Sequence, residues 1–252
     1  MTIDLTGQAI LVTGASRGIG QALAIALGQA GATVGVHFNG SRTGAEKVKD
    51  ILGDRAVLMQ ANLANVAACE QLFQEAIQRM GRLDTLINNA AVSLNTPEDA
   101  DTATWLADWE LTMHVNLRAT ELLCRLAIAH YKEQKGGRII NIASRAAFRG
   151  DLATYMTYAA SKGGMVALTR SIARAFGKQG IKAFIIAPGF IRTDMAQDFI
   201  DRYGEAYVKD DIAVDTLTEP EDLAPLITLL ASGLADHATG GTFDVNGGSY
   251  VH

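Results

Sequence analysis

Two tyrosines and a lysine stand close together in T-Y-M-T-Y-A-A-S-K, residues 154–162, at the head of a segment with helical periodicity. On a helix, residues four apart share a face one turn apart, whereas residues seven apart are separated by about 10 Å along the axis. Tyr158 can therefore work with Lys162, and Tyr155 is placed to form a pocket wall rather than to react. A phenol titrates near pH ~10, and a fixed ammonium beside it favours the phenolate, which brings the hydroxyl toward useful acid or base strength at neutral pH. The spacing alone favours an amphipathic pair on a solvated helix face. Two further residues shift the weight toward chemistry: Ser144, just past a strand-like run in I-A-S, and Asn116 in M-H-V-N-L on the preceding helical segment.

Positioning such a set requires a regular scaffold, and the chain supplies an alternation. Short β-rich runs at 9–12, 33–36, 56–59, 83–87, 138–142, 182–186 and 242–245 are separated by helical segments such as 21–30, 66–80, 105–131 and 161–176. Strand followed by helix, repeated, predicts an α/β fold with a doubly wound parallel sheet, covered on both faces, whose ligand site lies at the carboxyl ends of the strands. At 252 residues this reads as a single domain.

The first strand runs into T-G-A-S-R-G-I-G, residues 13–20, and then into a helix. Gly14, Gly18 and Gly20 permit a tight turn, a close approach of a pyrophosphate and close helix packing, while the helix N-terminus supplies an anion site. An ordinary strand-to-helix turn has the same look, and the spacing G-x-x-x-G-x-G differs from the commoner dinucleotide pattern. Placement after the first strand of an α/β alternation favours the cofactor reading.

Composition narrows the function classes. The chain is 48% hydrophobic and 19% charged, with four prolines, so it can bury a large core. Its net charge of −5 comes without a basic run, which leaves no footprint for nucleic acid or an anionic membrane. No apolar span is long enough for a membrane helix and the N-terminus lacks a basic leader, so a cytoplasmic location is expected. Cys69 and Cys124 read as core fillers and the five histidines are scattered, so no metal is assigned.

Taken together, T-G-A-S-R-G-I-G, N-N-A-A at 88–91, Asn116, Ser144, Tyr158, Lys162 and P-G-F-I-R-T at 188–193 resemble the short-chain dehydrogenases/reductases, in the compact form that includes 3-oxoacyl reductases. The resemblance implies a seven-stranded Rossmann sheet of order 3-2-1-4-5-6-7, a nicotinamide cofactor, and hydride transfer to or from a carbonyl carbon. It implies that Tyr158 is the acid in reduction and the base in oxidation. Ser144 hydrogen-bonds the substrate oxygen, Lys162 tunes Tyr158 and holds the nicotinamide ribose, and Asn116 positions a water that relays the proton. It places the cofactor against Gly14, Ser16, Arg17, Gly18, Ile19 and Gly20, against Asn62, Leu63, Asn88, Asn89 and Ala90, and against Pro188, Gly189, Ile191 and Thr193. It also implies a homotetramer, with tail residues such as Tyr250 and Val251 contributing; Leu122, Leu123, Leu126, Met165, Val166 and Leu168 are the apolar helix residues expected to exceed what one sheet contact needs.

Three departures stand out. Asn62 replaces the usual acid after the third strand, the fourth-strand motif ends N-N-A-A rather than N-N-A-G, and Ser144 lies fourteen residues before Tyr158, one more than is typical. Cofactor choice turns on V-G-V-H-F-N-G-S-R, which has no acid from Val34 through Gly44. An aspartate there would repel a 2′-phosphate, whereas Asn39, Ser41, Arg42 and Arg17 offer hydrogen bonds and positive charge, so NADP(H) is expected.

The substrate stays open among small ketones, coenzyme A thioesters, sugars and steroids. Acyl carrier protein is weakly supported: Lys135 and Lys178 lie in suitable regions, but Gln179 stands where a basic residue is wanted. Residues 194–217 fall where the family places a lid, and Asp210, Asp211 and Asp215 make it acidic. Two rival classes are weighed. A catalytically silent nucleotide sensor would be expected to lack one of the four catalytic residues, and all four are present. A sugar-nucleotide epimerase needs a C-terminal substrate domain, whereas N-G-G-S-Y-V-H alone follows the last strand.

Overall fold

The strand β1 (Ala9–Val12, A-I-L-V) is buried along its whole length, as a strand covered on two faces must be. A computed structural model describes residues 3–193, 204, 206 and 209–251. With β2 (Thr33–Phe38), β3 (Ala56–Gln60), β4 (Thr85–Asn88), β5 (Gly137–Ile142), β6 (Ile181–Pro188) and β7 (Thr242–Val245), β1 forms one seven-stranded sheet. Its order is β3-β2-β1-β4-β5-β6-β7 and every pairing is parallel.

Successive side chains of a strand point to opposite faces, and this alternation divides the core in two. Ile10, Val12, Val34, Val36, Ile140 and Ile186 pack on one face beneath α1 (Gly18–Gln29), α2 (Arg42–Leu52) and α8 (Ala224–Ser232). Leu11, Met59, Leu86, Ile139 and Ala183 pack on the other beneath α3 (Val66–Met80), α5 (Ala119–Gln134) and α7 (Met156–Phe176). Local chemistry sets the helix ends: the Asn65 side chain accepts from Ala68 N at the start of α3, and Gly81 closes it at φ 75°.

The long helical segment expected over 105–131 is interrupted. α4 (Thr102–Met113) joins α5 through a π-helical turn, His114–Arg118, that contains Asn116. Such single-turn insertions recur at functional sites because they re-aim a side chain without ending the helix.

The apolar residues expected to drive assembly are largely internal. Leu123, Met165 and Val166 are buried in the chain's own core, and Leu122, Leu126 and Leu168 pack against it. These helices cover the sheet and pack on one another, which uses more apolar faces than one sheet contact does. Exposed apolar surface lies elsewhere, at Trp105 and Leu106 on α4, each 44% accessible, and at Met156 at the start of α7, 65% accessible. Among the described residues no helix is long and apolar enough to cross a membrane.

The β1–α1 and β4–α4 connections diverge at the carboxyl edge of the sheet, where the strand order reverses. That crevice is the topological switch point of an open α/β sheet and the place such sheets bind ligands.

Candidate active site

A cleft of about 1200 Å³ opens at that edge, large enough for a dinucleotide with a substrate beside it. One end is built by the glycine turn. Gly14 sits at φ 66° and a side chain there would meet the Ala90 backbone at 2.9 Å, while a Cβ on Gly20 would lie 2.2 Å from the Gly14 carbonyl oxygen and 2.5 Å from the Asn89 amide. Only glycine fits, and α1 is thereby seated against β1. Arg17 caps α1 without a side-chain hydrogen bond, and no acid lies in the first turn. The exposed N–H groups and the positive end of the helix dipole therefore face the cleft, a fit for a pyrophosphate.

Asn89 ties the turn to β4: its amide donates to the Thr13 carbonyl at 2.9 Å and the Gly14 carbonyl at 3.2 Å, and its backbone N–H donates to Thr13 Oγ1 at 2.9 Å. Asn88, one residue earlier, turns inward and donates to Asn141 Oδ1 at 2.8 Å, outside the cleft. Gly14, Ser16, Arg17, Gly18, Ile19, Gly20, Asn39, Ser41, Asn62, Leu63, Asn89, Ala90, Pro188, Gly189, Ile191 and Thr193 all line the cleft. Arg42 does not. It opens α2, is well exposed, and pairs with Glu46 at 2.9 Å one turn along, so its charge is already matched.

The sequence reading missed His37. Buried on β2, it accepts the Gly14 N–H at Nδ1 (3.0 Å), and its Nε2 lies 3.1 Å from the Ala61 carbonyl oxygen, an arrangement that needs the neutral Nε2–H tautomer. Burial pushes its pKa down to about 4, against a smaller upward pull from the Ala61 carbonyl. A polar residue inside an otherwise apolar strand was the available signal.

At the other end of the cleft stand Ser144, just past β5, and Tyr158 and Lys162 on α7. The Ser144 hydroxyl accepts from Ala146 N–H at 3.1 Å, and Ser144 and Tyr158 both line the cleft. Lys162 is 2% exposed, its Nζ donates to the Ile142 carbonyl at 2.7 Å, and it sits 5.7 Å from the centre of the Tyr158 ring. The expected acidification of Tyr158 is not found. Burial drives the phenol up to about 12, the Ser144 hydroxyl offsets part of this, and the Asp151 carboxylate adds to it. Burial likewise lowers the pKa of Lys162, to about 7. In this geometry Tyr158 is a held proton donor.

Asn116 lies behind the cleft, fully buried. Its amide oxygen accepts Val92 N–H at 2.8 Å, and its nitrogen donates to the Val92 carbonyl at 2.8 Å and to Ser161 Oγ at 3.1 Å. The side chain thus clamps the loop after β4 to α7, the helix that carries Tyr158 and Lys162. Tyr155 lines the cleft and accepts from Asn95 Nδ2 at 3.2 Å.

Of the acidic segment expected as a lid over 194–217, residues 194–203, 205, 207 and 208 lie outside the described residues. Asp211 is described: it reaches the cleft and pairs with Arg145 and Arg149. Lys135 and Lys178 meet at the loops that precede β5 and β6. They are separated from the cleft of the same chain by the length of β6, eight residues or about 26 Å.

A family model described as enoyl-(acyl carrier protein) reductase matches residues 14–250. The chain belongs to the short-chain dehydrogenase/reductase family. Members of this family are NAD(P)-binding oxidoreductases, and the chain carries the family's seven-stranded sheet. It is 36% identical to a 3-oxoacyl-[acyl-carrier-protein] reductase of Synechocystis over 97% of each chain. Among solved short-chain dehydrogenase/reductase structures, a dehydrogenase/reductase from Sinorhizobium meliloti 1021 superposes with a TM-score of 0.91 at 34% identity, covering 99% of this chain and 98% of that one. A blue fluorescent protein from a metagenomic library, solved in complex with NADPH, superposes with a TM-score of 0.90 at 35% identity, covering 98% of this chain and all of the other.

Proposed function

We propose that this protein is an NADP(H)-dependent oxidoreductase acting on a carbonyl or secondary alcohol, with a 3-oxoacyl thioester among the candidate substrates. The observation that carries the reading is the pair of hydroxyls, Ser144 and Tyr158, in the wall of the cleft whose far end is the uncapped start of α1. Bound nicotinamide supplies or accepts the hydride. The residues do the rest: Ser144 donates to the carbonyl oxygen where negative charge develops, and Tyr158 gives that oxygen its proton. Lys162, anchored on Ile142 and 5.7 Å from the Tyr158 ring, would hold the ribose of a bound nicotinamide, and Asn116 ties α7 to the loop after β4. A nucleotide sensor without catalysis would not need all four groups in one place.

The phosphorylated cofactor is favoured by Arg17, Asn39 and Ser41, which line the cleft with no acid on the turn after β2, and by the relative solved with NADPH. The kcat/KM for NADPH is expected to exceed that for NADH at least tenfold, about 1.4 kcal/mol. Arg17→Ala should erode the difference chiefly through the NADPH value, and Arg42→Ala should change it little. Equal efficiency with the two cofactors overturns the NADP(H) assignment and leaves the tyrosine chemistry standing. A panel of ketones, secondary alcohols and 3-oxoacyl thioesters, free and carried on acyl carrier protein, then separates the substrate classes. The curated relative named above is a reductase of the carrier-bound class, whereas Lys135 and Lys178 lie far from the cleft of their own chain.

A homotetramer is the proposed assembly. Trp105, Leu106 and Met156 expose more apolar surface than α4 and α7 need for their own packing, and Val251, 77% exposed, does so at the tail. Light scattering at micromolar concentration should return four times the chain mass; a monomer refutes the assembly.

A further inference from the structure

The cleft wall beyond Ser144 carries a charge cluster that the proton and hydride chemistry does not use. Arg145 follows Ser144 directly, and Arg149, four residues on, lies one turn away along the short helix α6 (Ala146–Arg149). Both guanidiniums converge on one carboxylate. Arg145 donates to Asp211 Oδ2 at 2.6 Å, and Arg149 lies 3.0 Å from each oxygen of the same group while also donating to the Ser249 carbonyl at 3.2 Å. The Arg145 side chain is only 14% exposed, whereas those of Arg149 and Asp211 are 37% and 34% exposed, so Arg145 is the sheltered member of the cluster and Arg149 its open edge. Asp151 lines the same wall.

Two arginines held one turn apart repel each other unless an anion sits between them, and Asp211 is that anion here. It is carried on a turn, where Ile212 N–H donates to the Lys209 carbonyl at 3.3 Å, so its side chain can be exchanged without breaking a strand or helix. With Asp211 in place the two arginines are balanced by Asp211 and Asp151; with it displaced, the cluster is left one positive charge in excess. Planar, forked guanidinium groups bind carboxylates through paired hydrogen bonds, and any carboxylate reaching this point along the cleft finds the donors that Asp211 now occupies.

We propose that Arg145 and Arg149 anchor a carboxylate of the substrate, and that Asp211 occupies their position as an internal stand-in which the substrate displaces. The proposal rests on the oxidoreductase reading and deepens it, since the anchor lies next to Ser144 and selects oxo acids or hydroxy acids over neutral carbonyl compounds.

The test is calorimetric titration of the full chain, with and without NADPH, using straight-chain monocarboxylates from acetate to hexanoate and the matching primary amides. Asp211→Asn removes the competing charge, and Asp211→Ser serves if the amide variant melts early. Either variant should bind the best-fitting carboxylate at least tenfold more tightly than its amide. The wild-type chain should show a smaller preference, and adding Arg149→Met to the Asp211 variant should abolish it. If both Asp211 variants fold and bind carboxylates no more tightly than amides, or if Arg149→Met leaves the preference intact, the anchor is refuted. NADPH consumption with neutral ketones separates this from the functional reading. Binding of carboxylates through Arg149 with no turnover of any carbonyl compound keeps the anchor and overturns the oxidoreductase, whereas turnover of neutral ketones with no carboxylate preference does the reverse.

Discussion

Tyr158→Phe should lower kcat by about three orders of magnitude or more, with NADPH affinity nearly unchanged. The substitution removes one hydroxyl from a ring that lines the cleft and leaves the packing of α7 intact, so the loss falls on proton transfer, which general acid catalysis typically accelerates by roughly 10²- to 10⁴-fold. The proton has no comparable second source nearby. Lys162 is engaged with the Ile142 carbonyl at 2.7 Å, and the Ser144 hydroxyl is engaged by Ala146 N–H at 3.1 Å. Tyr155→Phe should cost far less, since the Tyr155 hydroxyl only accepts from Asn95. Steady-state rates of the two variants, with cofactor binding measured by fluorescence, decide the matter: equal losses would show that the assignment to Tyr158 is wrong.

Acid should destabilise the fold through His37 to a degree unusual for one residue. Its pKa is about 4 when folded, against an ordinary value near 6.5 when the chain is unfolded. Between those values the unfolded chain binds a proton that the folded chain refuses, so the stability His37 contributes is complete above pH ~6.5 and is lost progressively as pH falls toward ~4. At roughly 1.4 kcal/mol for each pH unit the loss is about 3 kcal/mol, large against the 5–15 kcal/mol typical of a folded domain. The physical cause is specific. A protonated ring would carry hydrogen on Nδ1, where the Gly14 N–H already points, and two donors would face each other under the glycine turn. His37→Gln supplies an acceptor that does not titrate. Urea unfolding at pH 7 and pH 4 should therefore show the native chain losing about 3 kcal/mol more than the variant, the carboxylate contributions being common to both. Parallel losses would mean that His37 is charged in the folded protein.

Much of the fold and part of the site were legible in the order of residues. The strand cores, the extent of α3 and the glycine turn after β1 depend on periodicity and on backbone freedom within a few residues, and the pairing of Tyr158 with Lys162 follows from one helical turn. The Arg42–Glu46 pair is equally local, an i, i+4 spacing on α2 that sets Arg42 beside a carboxylate. What the order of residues could not decide depends on packing between distant segments. Desolvation reverses the expected shift of Tyr158 because the depth of α7 against β5 and β6 is set by the whole sheet. Asn116 becomes a clamp because a π-helical turn aims its amide at Val92, 24 residues away, and at Ser161, 45 away. His37 meets Gly14 only once β1 and β2 pair, and Arg145 meets Asp211 across 66 residues of chain. Residue types and local spacing determine which helices, strands and turns form and which groups can react; burial and long-range pairing, products of the closed tertiary structure alone, set the charge each group carries and the partner it keeps.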